Sequence, residues 1–465
     1  MPDGARNRRI ALAASTLASF LMPFMAGAVN VAIPEIGREF HADAVTLNWV
    51  VTAFLVVSAM LLLPFGRLAD MVGRRRVFVA GLAVFSLTSA LCGLAPSLPL
   101  LIAARAAQGI GGALVFATSL AILSSVFPPE ERGRVLGINV AAVYLGLSAG
   151  PVLGGVLTQH GGWRAVFLAT ALLLVPALLP ARYGLKGEWA EARGERFDFA
   201  GAVLCAAAIG PLTVGVSVIR SSAAGPWLAA AGVAAGVAFV VREARTAQPI
   251  LDVGLLRRNR LFAMSSLAAL IGYAATFTSG YLLSIYLQVV RGLDPQRAGA
   301  LLLVAPAVQA ALSPFAGRLS DRVDPRYVAS AGMAVCVAGL AGLALVGAAT
   351  DLALVVVAVG VLGVGFAFFS SPNTNAAIGS VDRRMYGVAA ATIGTARVVG
   401  MTFSMAVLTL LLAMRLGDVP LPSADPGDLV GTMRAAYAAF AVLCLAGVGA
   451  SLARGPSGNN AGRNG

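Results

Sequence analysis

Two arginines, Arg105 and Arg397, each stand as the only charge in a long apolar stretch. A guanidinium stays protonated at any working pH, so in such a place it needs hydrogen-bond acceptors, a counter-charge or a water-filled cavity. That makes each a default candidate for holding a solute or a proton-conducting water. The carboxylates that could trade a proton for a bound cation lie elsewhere. None of the 21 acidic residues falls mid-stretch: Glu35 ends the first one, Asp351 opens the twelfth, and Asp70 and Asp321 lie in short basic segments. A cavity lined only by positive charge attracts neutral, zwitterionic or anionic compounds more than cations. Polar and aromatic residues supply the remaining candidate lining: Asn30, Asn48, Trp49 and Tyr144 early in the chain, and Tyr273, Thr276, Tyr281, Gln288, Gln309, Asn373 and Asn375 later. In Ser370-Ser371-Pro372-Asn373-Thr374-Asn375, the proline is expected to break the helix and free carbonyls toward a cavity.

Hydrolytic and metal chemistry find no such residues. Gly146-Leu147-Ser148-Ala149-Gly150 fits the G-x-S-x-G nucleophile pattern, but that elbow needs a strand, a turn and a partner histidine. Ser148 sits in an apolar helical stretch, and the two histidines, His41 and His160, fall in connecting segments. Cys92, Cys205, Cys336 and Cys444 each stand alone in apolar surroundings, so no metal or cofactor is expected. A P-loop needs Gly-Lys, and the single lysine, Lys186, follows Leu185.

The elements that must position these residues are membrane spans. The chain has 465 residues, 58% hydrophobic and 12% charged, and its mean hydropathy is +0.84. So few charges cannot cover the surface of soluble domains, and disorder would need low hydrophobicity. About 20 apolar residues cross the hydrocarbon. By that measure fourteen stretches qualify, near 10–33, 46–66, 77–95, 99–124, 135–158, 164–184, 199–220, 226–241, 261–288, 297–316, 327–347, 351–371, 387–413 and 431–452. The first is too long and lacks the small-residue site of a removable signal peptide, so it is expected to remain as a helix. The net charge of +13 is a topology signal: 25 of the 34 basic residues fall on one side of these stretches and 7 on the other. The positive-inside rule then places both termini in the cytoplasm of a cell whose inner (plasma) membrane holds the chain. The basic excess also attracts anionic lipid, so the bilayer, not nucleic acid, is the expected partner.

An internal repeat narrows the reading. Gly66-Arg67-Leu68-Ala69-Asp70-Met71-Val72-Gly73-Arg74-Arg75-Arg76 follows the second stretch, and Gly317-Arg318-Leu319-Ser320-Asp321-Arg322-Val323-Asp324-Pro325-Arg326 follows the tenth. Each copy joins the second and third helices of a six-helix unit if stretches seven and eight are an insert, and duplicated halves are how transporters build two-sided access. The first copy resembles the major facilitator superfamily pattern G-x-L-a-D-r-x-G-r-[RK] at Gly66, Leu68, Asp70, Gly73, Arg74 and Arg75. Gly66 permits close helix approach, Asp70 can face a neighbouring helix N-terminus, and the arginines are expected at the membrane surface. The resemblance implies a latch that breaks as the protein switches between outward-open and inward-open states.

Other segments resemble the same superfamily's export branches. Gly137, Gly146, Gly150-Pro151 and Gly154-Gly155 give the fifth helix a smooth face with a bend, similar to the antiporter motif. Arg105-Ala106-Ala107-Gln108-Gly109 resembles the fourth-helix motif, whose arginine is implicated in proton transfer. Asn30-Val31-Ala32-Ile33-Pro34, Gly162-Trp163-Arg164, Phe197-Asp198-Phe199-Ala200-Gly201 and Tyr286-Leu287-Gln288 are similar to the fourteen-helix drug:proton antiporter branch. The resemblance implies an all-α membrane protein: six-helix bundles over 1–185 and 251–465, and two extra helices over 186–250 packed outside them. It also implies a monomer that exports small amphipathic molecules by alternating access, coupled to protons. One departure bears on coupling. Many members of that branch carry an Asp five residues before the Asn, where this chain has Met25. Coupling then runs through Glu35, Asp70 or water near Arg105, or the protein moves neutral or anionic compounds without protons.

Overall fold

The computed structural model describes residues 2–219, 222–246, 248–382, 385–417 and 419–455. Arg220, Arg383, Arg384 and Arg463, four of the basic residues used to assign sides, lie outside them. Among the described residues 13 helices are long and apolar enough to cross a membrane. One of these is two spans run together, because Gly162 breaks it with a non-helical backbone at φ 72° and ψ 168°.

The fourteen spans are α1 (Pro2–Phe40), α2 (Ala44–Val72), α3 (Arg74–Gly93), α4 (Leu98–Val126), α5 (129–161) and α6 (163–183), then α7 (Phe199–Ser217) and α8 (Gly225–Glu243). The last six are α9 (Arg260–Val290), α10 (Pro295–Arg322), α11 (Pro325–Ala344), α12 (Leu352–Gly379), α13 (Tyr386–Arg415) and α14 (Pro426–Ala453). Apolar length makes the spans, but polar residues set their starts. Asp43, Asp198, Asp294, Asp324, Asp351 and Asp425 each accept a backbone N–H of the helix they precede, each cap contributing about 1 kcal/mol. Many of the scarce acids are thereby used as helix caps. The eighth stretch, read from sequence as 226–241, runs from Gly225 to Glu243; its N-cap, Ala224, makes no side-chain bond, and Pro226 opens the first turn instead.

Helix directions follow from residue pairs. Gly93 approaches Arg164, Ser86 donates to the Ala171 carbonyl, and Arg75 donates to the Arg182 carbonyl. So α6 returns antiparallel to α3, with Gly162 at the turn. Gly146, Gly150 and Gly154 of α5 meet Phe20, Phe24 and Ala28 of α1 in register, so those two run parallel. The packing repeats along the chain: α1–α5, α2–α4, α3–α4 and α3–α6 recur as α9–α13, α10–α12, α11–α12 and α11–α14. Contacts between the two sets recur as well, α5 on α10 and α13 on α2. The extra helices α7 and α8 pack on each other, and α7 lies over the seam where α2 meets α13.

Two helices differ from the sequence expectation. Pro372 does not break α12, which runs unbroken from Leu352 to Gly379. There Gly332 of α11 brings its backbone against Phe368 and Phe369, so neighbouring packing supports the helix where a backbone bond is missing. In α9, by contrast, the α-helix stops at Thr276, resumes over Ser279–Ile285 and ends in a π-turn, Tyr286–Val290.

Candidate functional site

One end of the bundle carries the Arg67–Arg76 and Arg318–Arg326 segments and is the basic end; the other is the far end. At the far end the two helix sets are stitched together. Asn48 of α2 donates to the Met405 carbonyl at 3.1 Å and to the Thr409 hydroxyl, both on α13. Gln288, placed by the π-turn, donates to the Val31 carbonyl of α1 at 2.9 Å. Leu421 donates to the Ala42 carbonyl beside an Asp43–Pro420 bridge. A Cβ on Gly155 of α5 would fall 2.5 Å from the Pro295 carbonyl oxygen of α10, so only glycine lets these backbones touch. Asn30 and Tyr281 belong to this seal: Gly280 sits against the Asn30 amide, and Asn30 Oδ1, Tyr281 Oη and Gln288 Oε1 are buried without partners. Each buried polar atom left unpaired costs roughly 1–3 kcal/mol, so the seal is closed without being deeply stable.

Toward mid-membrane the helix sets meet at a polar and aromatic cluster. Tyr144 of α5 meets the Ser313 hydroxyl of α10 and lies within electrostatic reach of Tyr273 and Arg397. Arg397 of α13 donates to the Thr374 hydroxyl at 2.5 Å, and its guanidinium carbon sits 5.5 Å from the Tyr273 ring centre. Tyr273 in turn packs edge-on against Phe366 at 5.0 Å. Arg397 Nε is buried without a partner, and among the described residues no carboxylate pairs with this guanidinium. The result is a half-buried cation framed by two tyrosines and a threonine.

Arg105 has a different setting. It is only 2% exposed, and its Nε donates to the Val50 carbonyl of α2 at 2.8 Å while Nη1 bonds the Gln108 side chain. Gln108 passes a hydrogen bond to Ser89 of α3 at 2.6 Å, and the Phe54 ring centre lies 4.6 Å from the guanidinium carbon. Neutral acceptors and an aromatic face thus hold the charge inside one helix set, tying α2, α3 and α4 together. Asn373 likewise stays within one helix set, bonding the Ser265 carbonyl at 2.9 Å and accepting from Arg454 at 3.2 Å. Glu35 pairs within its own helix with Arg38 at the far end. Its neighbour Glu39 takes bonds from both Trp163 and Arg164 at 2.7 Å and anchors the α5–α6 turn.

At the basic end the two copies of the repeat differ. Arg74 turns inward instead of lying at the surface. It pairs with Asp70 at 2.8 Å and Glu191 at 2.8 Å and donates to Ser125 of α4 at 2.8 Å. Gly66 faces Ala117 across the α2–α4 contact. Gly73 has a φ of 115°, a conformation side chains disfavour, and Glu188 fills the space a Cβ would need. The connection from α6 to α7 lies across this loop as a strap. Arg74 N–H donates to the Trp189 carbonyl and Ala192 N–H to the Asp70 carbonyl, both at 2.9 Å, while Arg67 pairs with Glu195. The glutamates of the strap were not singled out from sequence, although Glu188, Glu191 and Glu195 recur at spacings of three and four opposite a run of arginines. In the second copy Gly317 packs near Ser371, but Asp321 is exposed and pairs with no described residue. Asp324, three residues on, caps α11 instead, and Arg454 from the end of α14 binds the Pro325 carbonyl at 3.1 Å.

The glycine pattern of α5 serves two faces one residue apart. Gly146, Gly150 and Gly154 pack on α1 within one helix set, whereas Pro151 and Gly155 face Gly299 and Pro295 of α10 in the other. Gly137 has nothing within 4 Å of where a Cβ would stand. No group of three or more potential metal ligands occurs among the described residues.

The model of the Major Facilitator Superfamily matches residues 15–405. The multidrug resistance protein Stp of Mycobacterium tuberculosis is 34% identical over 422 residues, spanning 88% of this chain and 76% of that protein. The cephamycin export protein CmcT of Amycolatopsis lactamdurans is 32% identical over 457 residues, 94% of this chain and 90% of that one. The crystal structure of a bacterial homolog of the human lysosomal transporter Spinster, inward-facing and unoccupied, matches with a TM-score of 0.69 at 16% identity over 96% of this chain and 97% of that one.

Proposed function

The chain belongs to the Major Facilitator Superfamily, a family of transporters and not enzymes, and from that premise we propose that it exports small amphipathic compounds across the plasma membrane by alternating access coupled to proton antiport. The observation that carries this reading is the sided seal. Every described hydrogen bond between the two helix sets outside the mid-membrane Tyr144 pair lies at the far end, at Asn48, Gln288 and Ala42. With the basic end in the cytoplasm, as the positive-inside rule requires, we read the unsealed side as the mouth of a transport cleft open to the inside. Units over 1–185 and 251–465 would rock about it while 186–250 rides alongside, each molecule acting as a monomer. The relatives' roles in drug resistance and cephamycin export support an outward direction.

Tyr144, Tyr281, Gln288, Asn30 and Arg397 are the residues of this reading that border the cleft or its seal. A second reading, in which the cargo is neutral or anionic and moves without protons, is favoured by one observation: Arg397 is a charged group at the proposed cleft, and it has no carboxylate partner among the described residues. Reconstitution in proteoliposomes separates the two. Uptake of a cationic dye that requires an imposed proton gradient supports antiport; gradient-independent uptake of an organic anion, with no dye transport, supports the second reading. Saturable flux with counterflow is expected in both, and its absence would overturn transport by alternating access altogether.

A further inference from the structure

The lipid-facing side of α3 and α6 holds a groove of about 540 Å³ at the basic end, within the size range of a specific ligand site. Its origin is readable in the packing. At the far end Gly93 lets α6 close onto α3, with Leu168 and the Arg164 carbonyl in contact range. Toward the basic end α3 presents only Val79, Ala80 and Ala83 to the gap, and opposite them stand Leu178 and Leu179 of α6. Small side chains on one wall leave an apolar trough, and Ala80 and Ala83 are exposed at its floor.

The mouth of the trough is basic. Arg75 and Arg76 come from the start of α3 and Arg182 from the last turn of α6. Arg75 Nη2 donates to the Arg182 carbonyl at 2.8 Å, which fixes the two helices at that spacing. Arg75 Nε is buried with no hydrogen-bond partner. Arg76 is largely exposed, and Arg182 lies 5.5 Å from the ring centre of the exposed Tyr183. One carboxylate, Glu188, approaches Arg75 at 3.6 Å and Arg76 at 3.5 Å, and leaves the mouth net positive.

We propose that this groove is a specific binding site for an anionic diacyl phospholipid, its phosphate held by Arg75, Arg76 and Arg182 and one acyl chain laid along Ala80 and Ala83. An apolar trough lipid alone would fill, capped by guanidiniums at headgroup depth, selects a molecule that is both anionic and two-tailed. A free phosphate would use the mouth and leave the trough empty. Because Arg75 belongs to the Arg67–Arg76 segment and pairs with Glu188, a bound lipid would also brace the strap formed by Glu188 and its neighbours.

The test uses the purified full chain in detergent, with dioleoyl phosphatidylglycerol, dioleoyl phosphatidylcholine and glycerol 3-phosphate as probes, read by native mass spectrometry and by thermal unfolding. Phosphatidylglycerol should remain bound and raise the unfolding temperature, phosphatidylcholine should be lost more readily, and glycerol 3-phosphate should do neither. The double variant R76Q/R182Q should weaken phosphatidylglycerol retention by roughly 25-fold, since each interfacial arginine contributes about fivefold. Ala83→Phe fills the trough at an exposed position, keeps every charge, and should weaken it as well. Equal retention of both lipids overturns the proposal. So does a full effect of glycerol 3-phosphate, which would mean a bare anion site, or loss in the arginine variant with full retention in Ala83→Phe, which would mean surface attraction without a groove.

Discussion

Pro151 of α5 and Gly299 of α10 meet backbone to backbone across the far-end seal: the Pro151 carbonyl occupies the space that any side chain on Gly299 would need. On the next turn Gly155 repeats the arrangement against Pro295. The two helices can close this end only because these positions lack a Cβ.

Gly299→Ala should therefore hold the far end apart. Over-packing of a tight contact costs about 1–3 kcal/mol, which corresponds to a shift of roughly 5- to 150-fold toward the opposite state. Cysteines introduced at the exposed positions Gln159 and Arg297 would carry spin labels, since the four native cysteines are buried. A longer and broader distance distribution in Gly299→Ala is the expected outcome; an unchanged distribution would show that the seal does not depend on this contact.

Arg397 should matter for anionic cargo alone. Removing a charge-assisted hydrogen bond costs about 1.5–3 kcal/mol, so Arg397→Gln is expected to raise the KM for an organic anion by roughly 10- to 150-fold. A neutral amphiphile should be carried nearly as before, because Tyr144, Tyr273 and Phe366 remain. Arg105→Gln should behave differently: its guanidinium ties α2 to α4 through the Val50 carbonyl and Gln108, so the expected loss is thermal stability of the protein with every cargo affected alike.

The strap should respond to salt and to charge removal. Glu191 is 72% exposed while Arg74 is 10% exposed. Glu191→Gln is then expected to cost under about 1 kcal/mol, whereas Arg74→Ala, which strands Asp70, should cost about 2 kcal/mol. Limited proteolysis of the 185–197 segment, faster in Arg74→Ala than in Glu191→Gln and faster at high salt, is the measurement that checks this.

Asp198 gives the extra helices a pH-dependent anchor. The hydrogen-bonded Arg242 guanidinium, together with backbone N–H groups of α7, holds the Asp198 carboxyl below the ordinary carboxylate range against the opposing effect of burial. A depressed folded-state value means this stabilisation is complete above the unfolded-state value of about 3.9 and is lost as pH falls through the lower folded one. Asp198→Asn should lower the unfolding temperature at neutral pH and shrink its fall on strong acidification. Equal acid sensitivity in wild type and variant would show that other carboxylates govern it.

The spans and the repeat were legible in sequence because they are local. Apolar length marks a span whatever surrounds it, and the Gly66–Arg76 segment reappears at Gly317–Arg326 with its spacing kept. Even the Gly-Pro start that lengthens α8 is visible in the chain. The roles of individual polar residues were not. Asp70 and Asp321 occupy equivalent places in the repeat, yet one is held by Arg74 and the other is exposed: Pro325 stands where the first copy has Arg74, and the α6–α7 strap, whose Glu191 also binds Arg74, was visible only in the fold.

Sequence alone determined that this chain crosses the membrane repeatedly, in two related halves with an inserted pair. Tertiary structure decided which residues face what: Arg105 inward to a backbone carbonyl, Arg397 to Thr374, Arg74 beneath a strap and Gly299 against Pro151. The physical reason is the solvent. A soluble helix announces its buried face by an apolar stripe, but helices in lipid are apolar all round. Only their packing tells core, cleft and lipid apart.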